Sequence, residues 1–414
     1  VKLIRAYKTE LDPNDVQRTA LLQHAGAARW AYNFGLRRKI AAYEETGKSP
    51  SAIDLHRELN ALKKTAVEQG GVPWMYEVSK AAPQEALRNL DKAFQHFFRR
   101  CKGNAKVKGF PKFKSRKRGI GSFTLTGAIR VGEKHVQLPR LGKLRCKEHG
   151  YLPETGVKIL SATVSACAGR WFVSLQVEQE AQNPCVTSSR VVGVDVGIAS
   201  LAITSDAEIF ENPRALRSAE VRLRRLQRSV SRKVKGSRNR KKAIARVAVL
   251  HYRVSNVRKN ALHQASNSIT KNCGTVVLET LNIAGMVRNS HLAKALSDVS
   301  LAEFHRQIEY KARWRGVRVI RADRWFPSSK MCSACGGVCG EMPLSVRRWT
   351  CQACGVTHDR DVNAAVNLRN LAVSSTVSAC GDGSADPDCE IQMKLPSVKQ
   401  ELNADRGLSS VGLV

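Results

Sequence analysis

Two cysteine pairs, Cys332-Ser333-Ala334-Cys335 and Cys351-Gln352-Ala353-Cys354, stand a short spacer apart. Each pair can bite an ion from one tight turn, so the two together offer the four thiolates of a tetrahedral Zn²⁺ site. Any fold of this segment must bring the two turns face to face. Gly336 and Gly355 stand just beyond the knuckles. Cys339 complicates the set, because Cys335-x-x-x-Cys339 is also a biting pair. Immediately after the second knuckle the chain reads His358-Asp359-Arg360-Asp361-Val362-Asn363-Ala364-Ala365, an acidic dyad that opens a helix. His358 is expected to be a local hydrogen-bonding side chain.

The rest of the chain is strongly basic. Its 414 residues carry 69 Lys+Arg against 35 Asp+Glu, a net charge of +34. Polyanions are the expected partners, nucleic acid first among them. Apolar content of 43% is in the globular range, so the chain as a whole is not a disordered one, and its length suits two or three domains. No run of roughly 18 apolar residues offers a membrane span, and no signal-peptide pattern opens the chain. The expected location is cytoplasmic and nucleoid-associated, in a prokaryote. The other cysteines are scattered singly, which fits free thiols in a reducing compartment.

Residues 1–11 alternate as a strand does, and Asp12-Pro13-Asn14-Asp15 then reads as a turn and helix start. The stretch 15–100 is helical in period, broken at Gly70-Gly71-Val72-Pro73. A basic loop follows, with Phe110, Lys112, Lys114 and Arg116 in a pattern that suits a phosphate backbone. Short strands are expected over 122–178, including a hairpin around Ala168-Gly169. Residues 1–11 would complete a small barrel with them, making the helical block an insertion. Asn183-Pro184 begins a linker. Between Glu220 and Glu279 there is no acidic residue. Arg224, Arg228, Arg232, Lys235, Arg238 and Lys242 crowd two helices joined near Gly236, and charge of one sign at this density points to a polyanion. RNA binding there should weaken steeply with salt. The tail beyond Leu371 lacks periodicity and is expected to be mostly disordered.

Asp195 lies within Val191-Val192-Gly193-Val194-Asp195-Val196-Gly197, and Glu279 ends Val276-Val277-Leu278. Carboxylates embedded in apolar strands need compensation, and divalent cations supply it. Asp195, Glu279 and Asp361 together could hold two Mg²⁺ ions about 4 Å apart for phosphodiester hydrolysis. Each acid alone has an ordinary reading, as a turn residue, a solvent-facing strand residue or a helix cap. A strand Asp, a later strand Glu and an Asp opening a helix follow the order of an RNase H-like fold. Asp359 competes with Asp361 for the third position, and Asp361 is preferred because the helix through Leu368 can aim it inward.

These segments, with Pro327-Ser328-Ser329-Lys330 before the first knuckle and Gly109-Phe110-Pro111-Lys112 upstream, resemble the transposon-encoded TnpB (OrfB) family, compact relatives of type V CRISPR effectors. The terminal stretch 398–403 also looks like a family feature. The resemblance implies a multidomain α+β and α/β chain. Its parts would be a wedge β-barrel (1–11 and 119–184), a helical recognition domain (12–118) and a RuvC-like nuclease (185–331 and 355–371). A zinc ribbon (332–354) would interrupt the nuclease, and the tail (372–414) would follow. It also implies an RNA-guided DNA endonuclease with catalytic Asp195, Glu279 and Asp361, two Mg²⁺, one structural Zn²⁺ and a guide RNA from the transposon end. Double-stranded target DNA beside a short motif would be cut by a monomeric ribonucleoprotein. Lys80, Gln84 and Thr124 lie where the motif could be read. A nuclease-inactive RNA-guided binder, a type V effector and a strand-joining transposase are the alternatives.

Overall fold

The computed structural model describes residues 2–103, 107–180, 188–343 and 345–379, without the side chains of Arg118 and of 375–379. The linker around Asn183 and Pro184, and the chain from 380 onward with its 398–403 stretch, fall outside the described residues. The chain divides into two compact units, the first ending at Ala181.

In the first unit β1 (Lys2–Leu11) is followed by α1 (Asp15–Thr46), α2 (Ala52–Lys64) and α3 (Ala81–Lys102). An Asn14–Gln17 capping box starts α1, each side chain holding the other residue's backbone N–H. Gly47, at φ +69°, ends it. That stop divides the helical block earlier than the Gly70–Pro73 break, because glycine takes the left-handed cap conformation without strain. The chain then forms β2 (Ser122–Leu125), β3 (Arg130–Gly132), β4 (His135–Leu138), β5 (Gly142–Arg145), β6 (Val157–Cys167) and β7 (Arg170–Glu180). β1 pairs along its whole length with β7, so the three helices are an insertion between strands of one sheet, ordered β1-β7-β6-β2. β3-β4-β5 form a separate meander, bridged to β1 at Leu11 and Cys146. One apolar core unites sheet and helices through residues such as Leu21, Leu36, Leu87, Leu90, Val164 and Leu175.

The second unit is built on β8 (Val191–Val196), β9 (Ser200–Thr204), β10 (Ile209–Glu211), α4 (Ala215–Ser231) and α5 (Arg238–Thr270). β11 (Thr275–Leu278), α6 (Ile283–Met286), α7 (Ser290–Val299), α8 (Leu301–Arg315) and β12 (Arg318–Arg321) follow. A small hairpin, β13 (Arg348–Thr350) and β14 (Thr357–Asp359), leads into α9 (Arg360–Ala379). The sheet order is β10-β9-β8-β11-β12, with β8, β9 and β10 antiparallel and β8, β11 and β12 parallel. α9 continues to Ala379, beyond the Leu371 end expected from the sequence.

Strand alternation divides this sheet's two faces. Val192, Val194, Val196, Val276 and Leu278 pack into the core formed with α5 and α8. Val191 and Val277 face the opposite layer, with Leu368 and Ala372 of α9. The period of two places Gly193 and Asp195 on the α9 side as well. Among the described residues no helix is long and apolar enough to cross a membrane.

Candidate active site and metal centre

Parallel pairing sets Val194 opposite Leu278. One residue further along each strand come Asp195 and Glu279, which therefore emerge side by side on the α9 face. The helix supplies the third acid. Ala364 and Ala365 are buried on the sheet, and Ala365 lies over Gly193 so closely that a Cβ there would stand 2.0 Å from the Ala365 carbonyl oxygen. Asp361 is one helical turn earlier, about 6 Å along the axis, comparable with the roughly 6.6 Å between Gly193 and Asp195 along the strand. Three segments far apart in sequence thus bring their carboxylates within electrostatic reach of one another. Among the described residues only the four ribbon cysteines have ligand atoms all within 4.8 Å of one another.

The electrostatics reflect that crowding. Burial, and then the negative charges of Glu279 and Asp361, push the Asp195 carboxyl well above the ordinary carboxylate range. Burial also raises Glu279, offset in part by the hydroxyl of Ser328, which donates to Glu279 Oε1 at 2.6 Å. Arg347 Nη1 reaches both oxygens of Asp361 at 3.0 Å. Asp359 has a different position: its Oδ1 accepts from the backbone N–H groups of Asp361 and Val362 at 3.1 Å, capping α9. The cap occupies the carboxylate of Asp359, while that of Asp361 is held by Arg347. Clustered acids of this kind, costly to ionise together, form a donor set suited to hard divalent cations.

The four cysteines converge. Their sulfurs all lie within 4.8 Å of one another, with Cys332–Cys354 and Cys335–Cys351 at 3.7 Å. Ligands about 2.3 Å from a tetrahedral zinc would be separated by about 3.8 Å, so the group fits that ion. Both knuckles close alike. Gly336 N–H donates to Cys332 O at 2.9 Å and Gly355 N–H to Cys351 O at 2.8 Å, each glycine at φ near +75°. The backbone N–H groups of Cys354 and Ala353 lower Cys351 to about 7, whereas burial and the neighbouring thiols push Cys354 up to about 12 and also raise Cys335, as expected of four sulfurs crowded together. His358 Nε2 sits 3.0 Å from Cys332 Sγ, outside the four-sulfur group. Cys339 packs with Trp349 and Met342 in the ribbon's small core, outside the four-sulfur group.

Two buried asparagines of α9 tie ribbon and sheet together. Asn363 accepts from Ser333 N–H at 2.9 Å and donates to Met331 O at 2.7 Å. Asn367 donates to Ser328 O at 2.8 Å and Met331 O at 2.6 Å. Sequence reasoning assigned no role to Ser328, Arg347, Asn363 or Asn367. Their signals were adjacency to the knuckles and the dyad and, for Ser328 and Asn363, a place within the segments that carry the family resemblance.

The sequence-predicted nucleic-acid residues are dispersed. Arg224, Arg228, Arg232, Lys235, Arg238 and Lys242 are all exposed on α4, α5 and their junction. Asp298 fixes the start of that hairpin, accepting from the N–H groups of Leu216 and Arg217 and pairing with Arg258 at 2.9 Å. In the first unit Lys80, Lys112 and Arg116 are exposed, and Gln84 is half-buried on α3. Lys114 lies with Nζ 4.0 Å from the Tyr32 ring centroid. Phe110 packs edge-on against Phe94 and Phe97, so it anchors the loop. Thr124 Oγ1 is 3.1 Å from Thr163 Oγ1 within the sheet.

Comparison with known proteins assigns the family. Residues 174–290 match a family model described as "Probable transposase", residues 302–368 one described as "Cas12f1-like, TNB domain", and residues 3–48 one described as "Helix-turn-helix domain". In the structure that last span is β1 and a single helix. A Streptomyces pristinaespiralis protein, provisionally named an RNA-guided DNA endonuclease, is 39% identical over 96% of this chain and 96% of its own. InsQ of Escherichia coli K12, named likewise, is 31% identical over 92% of this chain and 95% of its own. A solved mini-RNA-guided CRISPR-Cas endonuclease aligns with 90% of this chain and 92% of its own, at a TM-score of 0.46 and 9% identity. By its full-length identity to these curated relatives and its match to the transposase model, the chain belongs to the transposon-encoded TnpB (OrfB) family.

Proposed function

We propose that this protein is an RNA-guided DNA endonuclease of a transposon, and that Asp195, Glu279 and Asp361 form its hydrolytic centre. The approach of the three carboxylates, with Asp195 raised by burial and then by the charges of Glu279 and Asp361, carries this reading. Mg²⁺ ions held there would supply an activated water and stabilise the leaving 3′ oxygen. Ser328 orients Glu279 through its hydroxyl, and Arg347 restrains Asp361. Both contacts reduce the freedom of acids whose position decides the chemistry. With all three carboxylates present, a nuclease-inactive binder is the weaker reading.

The exposed basic residues of α4 and α5 would contact phosphates of guide RNA or target. Their unbalanced charge supports a sequence-independent grip. Specificity would come from base pairing with a guide transcribed from the transposon end, and from a short motif beside the target. Lys80, Gln84, Lys112, Lys114, Arg116 and Thr124 are our proposed contacts in the first unit, with Phe110 bracing the loop. The working particle would be one protein chain with one RNA, acting at the nucleoid.

The ribbon would hold one structural Zn²⁺ through Cys332, Cys335, Cys351 and Cys354. Structural zinc contributes folding free energy directly. Purified protein is expected to carry about one zinc per chain, and a Cys332→Ser/Cys351→Ser variant none. That variant should lose the upper part of the thermal transition and most cleavage. Unchanged melting and activity without zinc would remove the structural role.

The function is tested by sequencing RNA that co-purifies with the protein, then offering the complex a plasmid matched to the variable end of that RNA. Cleavage requiring both RNA and Mg²⁺ is expected. RNA-independent nicking, or intact plasmid across a library of flanking sequences, would overturn the reading.

A further inference from the structure

Trp325 is 80% exposed, an unusual position for the largest apolar side chain. Its surroundings connect it to the carboxylates. The chain after β12 is fastened at Ala322, whose N–H donates to Leu278 O at 2.8 Å and whose carbonyl accepts from Thr280 Oγ1 at 2.7 Å. These two bonds bracket Glu279. The same segment is fastened again at Ser328, on Glu279 itself. Residues 322–328 therefore form an arch with both feet at the catalytic acid and Trp325 midway. From either foot, three residues of chain reach at most about 10–11 Å.

The arch is held in shape. Phe326 is anchored in the small core with Val277 and Leu368, and Asp323 Oδ1 accepts from Trp325 N–H at 2.8 Å. With its backbone so fixed, the indole projects into solvent. The Arg324 guanidinium lies 5.1 Å from the ring centroid, placing a cation beside an aromatic face. An aromatic surface with an adjacent positive charge is the pairing that binds unpaired nucleobases and their phosphates. A base within a duplex has both faces already stacked.

We infer that Trp325, with Arg324, forms a stacking subsite for one nucleobase of an unpaired DNA strand, adjacent to the phosphodiester presented to Asp195, Glu279 and Asp361. The subsite rests on the nuclease reading and adds to it a positioning residue for the strand being cut. Stacking would fix the backbone on one side of the scissile phosphate, where the carboxylates provide no apolar contact.

The test uses the guide-loaded full chain. In an Asp195→Asn background, a short single-stranded DNA carrying 2-aminopurine should be quenched on binding. Trp325→Ala should abolish the quench and weaken single-strand binding roughly 5- to 150-fold, the effect of losing one stacked base. Trp325→Phe and Trp325→Tyr should retain most of both, whereas Trp325→Leu, apolar but without a π face, should not. Duplex DNA of the same sequence should be indifferent to all four changes. In the cleaving protein, Trp325→Ala should raise the substrate concentration for half-maximal cutting more than it lowers the maximal rate. Unchanged quenching and affinity in Trp325→Ala, rescue by Leu, equal loss for duplex, or a Trp325-dependent association of protein chains without an effect on DNA would each overturn the inference. The binding arm needs no cleavage, so a protein that never cuts would refute the nuclease reading and leave this test standing.

Discussion

Asp195→Asn is expected to abolish guide-directed DNA cleavage, by at least about 10³-fold, while making the metal-free protein more stable near neutral pH. Both effects have one cause. The folded-state pKa of Asp195 is raised above its ordinary value of 3.8, first by burial and then by Glu279 and Asp361. The native state therefore retains a proton that the unfolded chain releases. For a carboxyl raised on folding, stability is greatest below the unfolded pKa and is lost as pH rises from there through the folded value. Near pH 7 that loss is present in the wild-type protein, and Asn removes it. Melting curves should show Asp195→Asn above wild type at neutral pH, with the gap narrowing toward pH 4. Added Mg²⁺ should raise the wild-type midpoint and leave the variant nearly unmoved, because ligand binding stabilises only a chain that can hold it. Equal midpoints at both pH values, or cleavage by the variant, would contradict this account of the site.

Asp195 and Glu279 stood out in the sequence because a carboxylate in an apolar strand needs compensation, and Asp361 by its place at the start of a helix; the structure sets Glu279 and Asp361 within electrostatic reach of Asp195. What joins them was not legible there. Gly193 reads as an ordinary strand glycine, and only the packing of α9 shows that its missing Cβ makes room for the Ala365 carbonyl. The preference for Asp361 over Asp359 likewise depends on which carboxylate caps the helix, and that is fixed by backbone N–H direction. The two knuckles could be read since their spacing is a local property. Cys339, four residues from Cys335, required the third dimension to set it aside. Ser328, Arg347 and the two asparagines make contacts across 14 to 49 residues, a separation that periodicity cannot register. The Gly47 stop was missed for the opposite reason: it is local, but Leu55 and Leu59 of α2 continue the same core, so the apolar pattern conceals the break.

Gly193→Ala should be the most disruptive single-methyl change in the second unit. The added Cβ would meet Ala365 O at 2.0 Å and Arg369 N at 2.5 Å. Both are backbone atoms of a helix and cannot rotate aside, so relief requires α9 itself to retreat by more than an ångström. Overpacking of this kind costs about 1–3 kcal/mol, occasionally more. The functional cost should exceed the thermodynamic one, because α9 carries Asp361 and a displacement of about 1 Å at a catalytic group can cost about 10²-fold in rate. Gly197→Ala is the matched control: at the end of the same strand its Cβ would come no closer than 3.2 Å to Ser200 O. Zinc content separates a local shift from general misfolding, since the four cysteines hold the ion through their own two turns. Gly193→Ala is therefore expected to keep its zinc and its guide RNA, melt several degrees lower and cut at least about 10²-fold more slowly. Gly197→Ala, which asks Ser200 O to give by only a few tenths of an ångström, should be much the milder of the two in all four measurements. Wild-type cutting by Gly193→Ala would mean that α9 has room to spare over β8, and the close approach that delivers Asp361 to Asp195 would have to be abandoned.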